Sequence, residues 1–495
     1  MANTSPSPHK PIAIIGDGYS AAVTAYHLLK QGLAADHIRI FGPGPLGHGQ
    51  AYHQGHPSFR LNVRAELMKI DPSQPDDFPQ WAQAHLHDPD AATSAGRFYR
   101  RRDFARYLTE RLDSALDGKT FDQVKARVHR LTPDWTPEWN TGWNTGWNTG
   151  WRIETEDGGI WTAEIVIIAT GNPPPAPRIS ITGPGDRVIT DPWRGDWRGR
   201  IAAKDDVVVI GGGLTAMDAL MALATPQEGK THNSAAHTGH VTIVTPHGEL
   251  PSAQLDWEAT PPFIWPPVDT ASQFLGVMTH HLRKHSPGKS SPEIDSPGKN
   301  SRHDRAAQSA FEQLRVGMKP AWQGLPIKER RRLISRLGWR WQLLRYRAAP
   351  HPWESLLELE REGRFTLIKG RVDTVTSSDD GLSLTLTNGD QLTARHAIMA
   401  TGAGRDPLIE QLTREGHVRH DKGEFITDES LRLRPTTGDD HGAAYALGPP
   451  TVLSAGDVIG ASTIATQAHS IAKSIARTMA KTMAKSINAR QQERS

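Results

Sequence analysis

Residues 11–32 read PIAIIGDGYSAAVTAYHLLKQG. An apolar run, Ile12 to Ile15, meets Gly16-Asp17-Gly18 and passes into an alanine-rich stretch of helical spacing, which predicts strand, tight turn and helix. The grammar returns at residues 205–224, DDVVVIGGGLTAMDALMALA, with a strand from Val207 to Ile210, the turn Gly211-Gly212-Gly213 and a helix from Leu214. Each unit is followed by a second apolar run, Ile38 to Phe41 and Val241 to Val244, as the return strand of a βαβ unit requires. One such turn is weak evidence, because glycine pairs are common. Two in the same context are strong evidence for two nucleotide folds.

A second matched pair surrounds them. AEIVIIATGNPPPAP (163–177) and ARHAIMATGAGRDP (394–407) each run an apolar strand into Ala-Thr-Gly and a turn, and each is preceded by alternating segments that read as a β-meander. The predicted fold class is therefore α/β: two Rossmann-like dinucleotide-binding domains with β-meanders, the second inserted in the first. The expected division is a disordered N-terminus at 1–10, one domain from 11–190 and 395–480, and a second at 191–394. The second is expected to carry a helical segment and a disordered insertion at 285–305, and residues 481–495 are read as a frayed helix.

Composition narrows the function. The chain has 495 residues, enough for two or three domains, and a formal charge of +3, which implies no nucleic-acid partner. No apolar run approaches the ~18 residues of a membrane span, so integral membrane contact is not expected. MANTSPSPHK lacks the pattern of a secretory signal, and a cytoplasmic location follows as the expectation. The chain contains no cysteine, which removes disulfides, thiolate nucleophiles and iron–sulfur ligation together.

Three segments look like tandem duplications. WNTGWNTGWNTGW, Trp139 to Trp151, stands where the second meander has only a short hairpin loop, so it reads as a lengthened hairpin tip and not as an aromatic clamp. SPGK occurs at Ser286 and Ser296. SIAKSIARTMAKTMAKSI, Ser470 to Ile487, repeats every four residues. A period of four drifts about 40° per repeat around a helix, so its first half is expected to pack and the remainder to fray.

The glycine turns specify chemistry. In Gly16-x-Gly18-x-x-Ala21 the first glycine makes the turn, the second admits a diphosphate to the backbone, and the small third residue lets helix pack on strand. On these motifs, and on LGHGQAY (46–52), LNVRAELM (61–68), DFPQW (77–81), RRRDFARYL (100–108), GELP (248–251) and AWQGLPIKERRRLISRLGWRWQLLRYRAAP (321–350), the chain resembles the bacterial FAD/NAD(P)-binding protein family, related to the flavin-dependent N-hydroxylating monooxygenases. The resemblance implies FAD in the first fold, at Gly16, Gly18 and Ala21, with the strand end Thr170-Gly171 beside it. It implies NAD(P)H in the second, at Gly211, Gly213, Leu214 and Thr215, with Gly402 at the matching strand end. Either Gly448 or Gly456-Asp457 would approach the ribityl chain. Asn62 and Arg64 are candidates to face flavin or substrate, with a capped turn and a surface arginine as the plain alternative.

What the resemblance implies for activity is an NAD(P)H-dependent FAD oxidoreductase. Without cysteine the disulfide-reductase branch is closed, which leaves oxygen, a quinone or a small molecule as acceptor; the resemblance to the monooxygenases favours molecular oxygen, with a flavin peroxide as the oxygen donor and a small nitrogen-containing metabolite as substrate. A flavin reductase without oxygen insertion and a non-catalytic redox sensor are the alternatives. Three positions depart from the family pattern. Gly42 stands where a carboxylate usually holds the ribose, and Asp17 inside the phosphate turn is expected to point outward. His247 stands where an arginine would grip a 2′-phosphate, which leaves NADH and NADPH undivided. His280, His281 and His285 lack a completing carboxylate and predict no metal. Glu329 to Arg332 reads as a solvated helix face.

Overall fold

The computed structural model describes residues 11–52, 56–134, 150–175, 179–194, 197–226, 236–257, 261–285, 302–436 and 443–492. Two five-stranded sheets, every strand parallel to its neighbours, organise the molecule. The first runs Ala443–Ala446, Ile165–Ile168, Ile12–Ile15, Ile38–Phe41, Asp122–Val124. The second runs Val188–Ile189, His396–Met399, Val207–Ile210, Val241–Thr245, Phe365–Lys369. Their central strands are buried on both faces, which is why they read as unbroken apolar runs instead of alternating ones.

The sheets obey one plan. In each, the glycine-turn strand lies between its return strand and the Ala-Thr-Gly strand, with Ile15 opposite both Phe41 and Ile168, and Ile210 opposite both Val244 and Met399. This moves two strands across the expected boundaries: Val188–Ile189 and His396–Met399 belong to the second sheet. An apolar run announces a buried strand, but only tertiary pairing decides which sheet receives it. The meanders follow, Val128–Asp134 with Gly150–Thr155 and Ile160–Ala163, and Val372–Ser378 with Gly381–Leu386 and Gln391–Ala394; Ser180–Thr182 adds a parallel edge strand to the latter.

Residues 135–149, which hold most of the Trp-rich repeat, lie outside the described residues. Its last tryptophan, Trp151, does not belong to a loop: it is a strand residue, 3% exposed, in the core beneath the first sheet. Most of the expected insertion, 286–301, also lies outside them, as do 1–10, while 302–305 already form the start of the helix Arg302–Gly324. That helix, with Ala271–His285 and Ile327–Arg345, makes a bundle that docks on residues 449–457, where Trp322 Nε1 donates to Leu453 O at 3.2 Å.

The helix Ala461–Gln492 covers the first-turn helix Tyr19–Lys30. Its buried apolar residues, among those described, are Ala461, Ile464, Ala465, Ala468, Ile471, Ala472 and Ile475, a stripe spaced by three and four. Of the described part of the four-residue repeat that begins at Ser470, only Ile471, Ala472 and Ile475 lie on this stripe. Among the described residues no helix is long and apolar enough to cross a membrane.

Candidate functional site

The two glycine turns are built alike. Gly16 has φ +126° and donates its N–H to Phe41 O at 2.8 Å; a Cβ there would lie 2.4 Å from Ala169 O. Gly211 has φ +113° and donates to Val244 O at 2.9 Å; a Cβ there would lie 2.1 Å from Ala400 O. Each first glycine is thus fixed by its Ala-Thr-Gly strand. Ala21 is fully buried where the first helix meets the sheet, as the small third position requires.

The helices Tyr19–Lys30 and Leu214–Ala224 start from Gly18 and Gly213 without a side-chain cap and without an acidic residue in the first turn. Their leading N–H groups and positive dipole ends are set to receive an anion. Nothing lies within 4 Å of a Cβ placed on Gly213, so the space before half-buried Leu214 and Thr215 is open. At the first turn, a Cβ on Gly49 would come within 2.7 Å of Gly18 Cα, so LGHGQAY crosses the turn at a distance only glycines allow. Beside it Thr170 Oγ1 is buried without a hydrogen-bond partner, and Gly171 turns with φ +69°. Its counterpart Gly402, φ +86°, is exposed.

The second-strand ends differ between the folds. Gly42 presents no side chain; its N–H is taken by Val124 O at 3.0 Å. Asp17 turns toward this strand end and accepts from Gly44 N at 2.6 Å through Oδ2. The side chain, expected to point outward, is instead half-buried against the strand end. In the second fold His247 stacks on Trp339, ring centres 3.7 Å apart and planes 11° off parallel.

Asn62 and Arg64 sit at the junction of the two domains. Asn62 Oδ1 is 3.5 Å from Ala349 N. Arg64 donates to Trp257 O at 2.8 Å, lies 4.8 Å from the centre of that indole and is 3.5 Å from Asp256 Oδ1. Its side chain is 13% exposed, which rules out the plain surface arginine. Arg64 Nε and Trp257 Nε1 are both buried donors without a partner among the described residues. A polar atom left so costs free energy unless something accepts from it.

Asp457 follows Gly456, φ +81°, and joins a buried charge network. Its Oδ2 receives Arg315 at 3.0 Å and Arg345 at 3.1 Å, while Glu312 receives Arg315 at 2.7 Å and Arg347 at 3.1 Å. Burial opposes ionisation of Glu312, yet Arg315, Arg347 and Arg345 hold its carboxyl below the usual range. Burial lowers Arg347 to about 10 against the pull of Glu312. Asp457 Oδ1 is buried with no partner among the described residues. Gly448, by contrast, has its N–H engaged by Gln467 Oε1 at 2.8 Å. Sequence reasoning missed Glu312, Arg315, Arg345 and Arg347, since partners so distant along the chain leave no periodic signal.

Glu329 to Arg332 is not a solvated face. Glu329 accepts from Ala271 N at 2.9 Å, Arg330 donates to Leu325 O at 2.8 Å, and Arg331 pairs with Asp421 at 2.9 Å and Glu424 at 2.8 Å. The segment fastens the bundle to the body. His281 bonds Gln313 at 2.9 Å.

An FAD-NAD(P)-binding family model matches residues 13–173. No curated protein matches the chain in sequence. Solved structures do match in fold. Ornithine hydroxylase from Pseudomonas aeruginosa is 16% identical, over 95% of this chain and 100% of that one, with a TM-score of 0.60. The ornithine N-hydroxylase of Kutzneria sp. 744, with reduced FAD, NADP+ and L-ornithine, is 16% identical over 95% and 99%, TM-score 0.57. L-lysine 6-monooxygenase from Pseudomonas syringae is 15% identical over 95% and 100%, TM-score 0.58. At these identities the likeness is one of fold. The matched stretch holds the first glycine turn, its helix and the strand that closes on it, so the similarity to the FAD-NAD(P)-binding family lies in the first dinucleotide fold.

Proposed function

We propose that the chain is an NAD(P)H-dependent FAD oxidoreductase of the monooxygenase type, acting on a small nitrogen-containing metabolite. The observation that carries this reading is the pair of uncapped helix N-termini behind two equally constrained glycine turns, in a chain with no cysteine to receive electrons. The fold shared with ornithine and lysine hydroxylases supports the substrate class.

In this reading Gly16, Gly18 and the first turn of Tyr19–Lys30 hold the FAD diphosphate, with Ala21, Thr170 and Gly171 shaping the approach. Asp457 Oδ1, buried and unpartnered, fits a ribityl hydroxyl, because an orphaned carboxylate oxygen gains most from a donor. Gly211, Gly213, Leu214 and Thr215 hold the nicotinamide nucleotide, and Gly402 flanks it. FAD, held by these residues, would supply the redox chemistry between a nicotinamide donor and oxygen. Arg64 Nε and Trp257 Nε1 are donors toward whatever occupies the junction, and Asn62 and Arg64 keep the two domains in register around it.

The test is the visible spectrum of the purified protein, then the same spectrum after anaerobic NADH or NADPH. A yellow protein that bleaches, and that then oxidises NAD(P)H with less peroxide released when the right amine is present, supports the reading. A protein that bleaches but returns one peroxide per NAD(P)H with every amine tried is a reductase. A colourless protein that FAD does not reconstitute overturns the proposal.

A further inference from the structure

We propose that Asp17 supplies, from inside the glycine turn, the carboxylate that holds the adenosine ribose of FAD, and that Gly42 exists to give it room. This rests on the FAD reading above. In dinucleotide folds the ribose hydroxyls are met by an acidic side chain from the end of the second strand. Here the strand ends in glycine, and the vacated space is filled from the other side.

The register makes the exchange visible. Ile15 lies opposite Phe41, so Gly42 leaves the second strand directly beside the turn Gly16-Asp17-Gly18. A Cβ built on Gly42 would lie 2.4 Å from Asp17 Cβ, 2.6 Å from its Cγ and 2.7 Å from its Oδ2. The side chain of Asp17 therefore occupies the volume that a residue-42 side chain would need. The second fold provides an internal control. There Ile210 lies opposite Val244, so Gly212 and Thr245 hold the places of Asp17 and Gly42. A Cβ on Gly212 would lie 3.0 Å from Thr245 Cβ and 3.1 Å from its Oγ1. The space between turn and strand end admits one side chain, which enters from the strand in the second fold and from the turn in the first.

The carboxylate is held in place but not consumed. Oδ2 accepts from Gly44 N at 2.6 Å, and Asp17 O accepts from Gly47 N at 2.7 Å, so the 42–47 segment is wrapped around this residue. Among the described residues no arginine or lysine forms an ion pair with Asp17; the basic group that feels its charge is His48, whose imidazole is pushed down by burial and pulled up by Asp17. The residue is half-buried. It does not cap the helix that begins at Gly18, so its charge is not spent on the N–H groups that a diphosphate needs.

The alternative is a clasp alone, with Asp17 serving only the Gly44 N–H. Asp17→Asn separates the two, because the amide oxygen keeps that bond while the charge is lost. The full chain, stripped of flavin, is titrated with FAD, and ADP, 2′-deoxy-ADP and 3′-deoxy-ADP are used as competitors. The wild type is expected to prefer ADP over at least one deoxy analogue by about tenfold, the worth of a charge-assisted hydrogen bond. Asp17→Asn is expected to lose that preference, to bind FAD about tenfold more weakly, and to melt as the flavin-free wild type does. The double variant Asp17→Gly/Gly42→Glu, which returns the carboxylate to the strand end, is expected to recover both. If Asp17→Asn keeps the wild-type preference, or the wild type shows none while binding FAD, the ribose assignment is overturned and the functional reading stands. A wild type that binds no FAD overturns both.

Discussion

Gly16 and Gly211 carry the same constraint in two places, and the consequence of breaking it differs by domain. Alanine at 211 would set a methyl group 2.1 Å from Ala400 O at φ +113°; at 16 it would meet Ala169 O at 2.4 Å and φ +126°. Strain of this kind costs roughly 1–3 kcal/mol per residue before any displacement of the neighbouring strand. Gly211→Ala is expected to lower the melting temperature and abolish bleaching by NAD(P)H while the protein stays yellow, whereas Gly16→Ala is expected to lose the flavin. Absorbance at the flavin band and a thermal melt of each variant check the pair. These glycines were legible from sequence because a turn between strand and helix admits little else. Asp17 was legible only as an oddity and Gly42 only as a deficit, since their compensation depends on two Cβ positions meeting across a strand register.

At the scale of elements, the packing of Ala461–Gln492 on Tyr19–Lys30 buries a titratable group. His27, 1% exposed, faces Ile70 O at 2.9 Å through Nε2 and stands edge-on to His469, ring centres 5.2 Å apart. Burial lowers its pKa to about 4, with His469 and Lys30 acting in the same direction and Ile70 O and Asp71 against it. The folded chain refuses a proton that the unfolded chain accepts from about pH 6.5 downward. Stability from this site is full above pH 6.5 and is lost as pH falls toward 4, by roughly 3 kcal/mol in total. Denaturant titrations across that window should show a slope that His27→Gln reduces by about one proton; a residual slope is expected from His56, which burial also lowers to about 4. The existence of these helices was readable in their spacing. Which sheet His396–Met399 would join was not, because an apolar run carries no address, and the matched Ala-Thr-Gly ends were the better guide than a boundary drawn beside them.

At the scale of the whole molecule, one buried pair sets the two domains against each other. Arg101, on the first domain, donates to both oxygens of Asp218 at 2.9 and 2.7 Å and to Arg60 O at 2.9 Å, and lies 4.9 Å from the centre of Trp193. Burial pushes the Asp218 carboxyl up to about 6 even with Arg101 beside it. Arg101→Ala would leave that carboxylate enclosed and unpaired, a loss of about 3–5 kcal/mol. Two separated unfolding transitions, and a larger radius of gyration in solution scattering, are the expected outcome. Arg101→Ala/Asp218→Leu should recover a substantial part of the stability, because an apolar pair avoids the unpaired charge. Nothing in the sequence advertised this pair, whose members belong to different motifs.

The placing of the second sheet's strands between those of the first along the chain also fixes an order of assembly on the ribosome. Everything the second sheet needs lies between Val188 and Met399, whereas the first waits for Ala443–Ala446 to cover Ile165–Ile168 and for the helix from Ala461 to cover Tyr19–Lys30. The part of the protein that is synthesised first is thus completed last. During translation its open apolar edge is exposed while the inserted domain closes, and that interval is when the nascent chain most needs the protection of a chaperone.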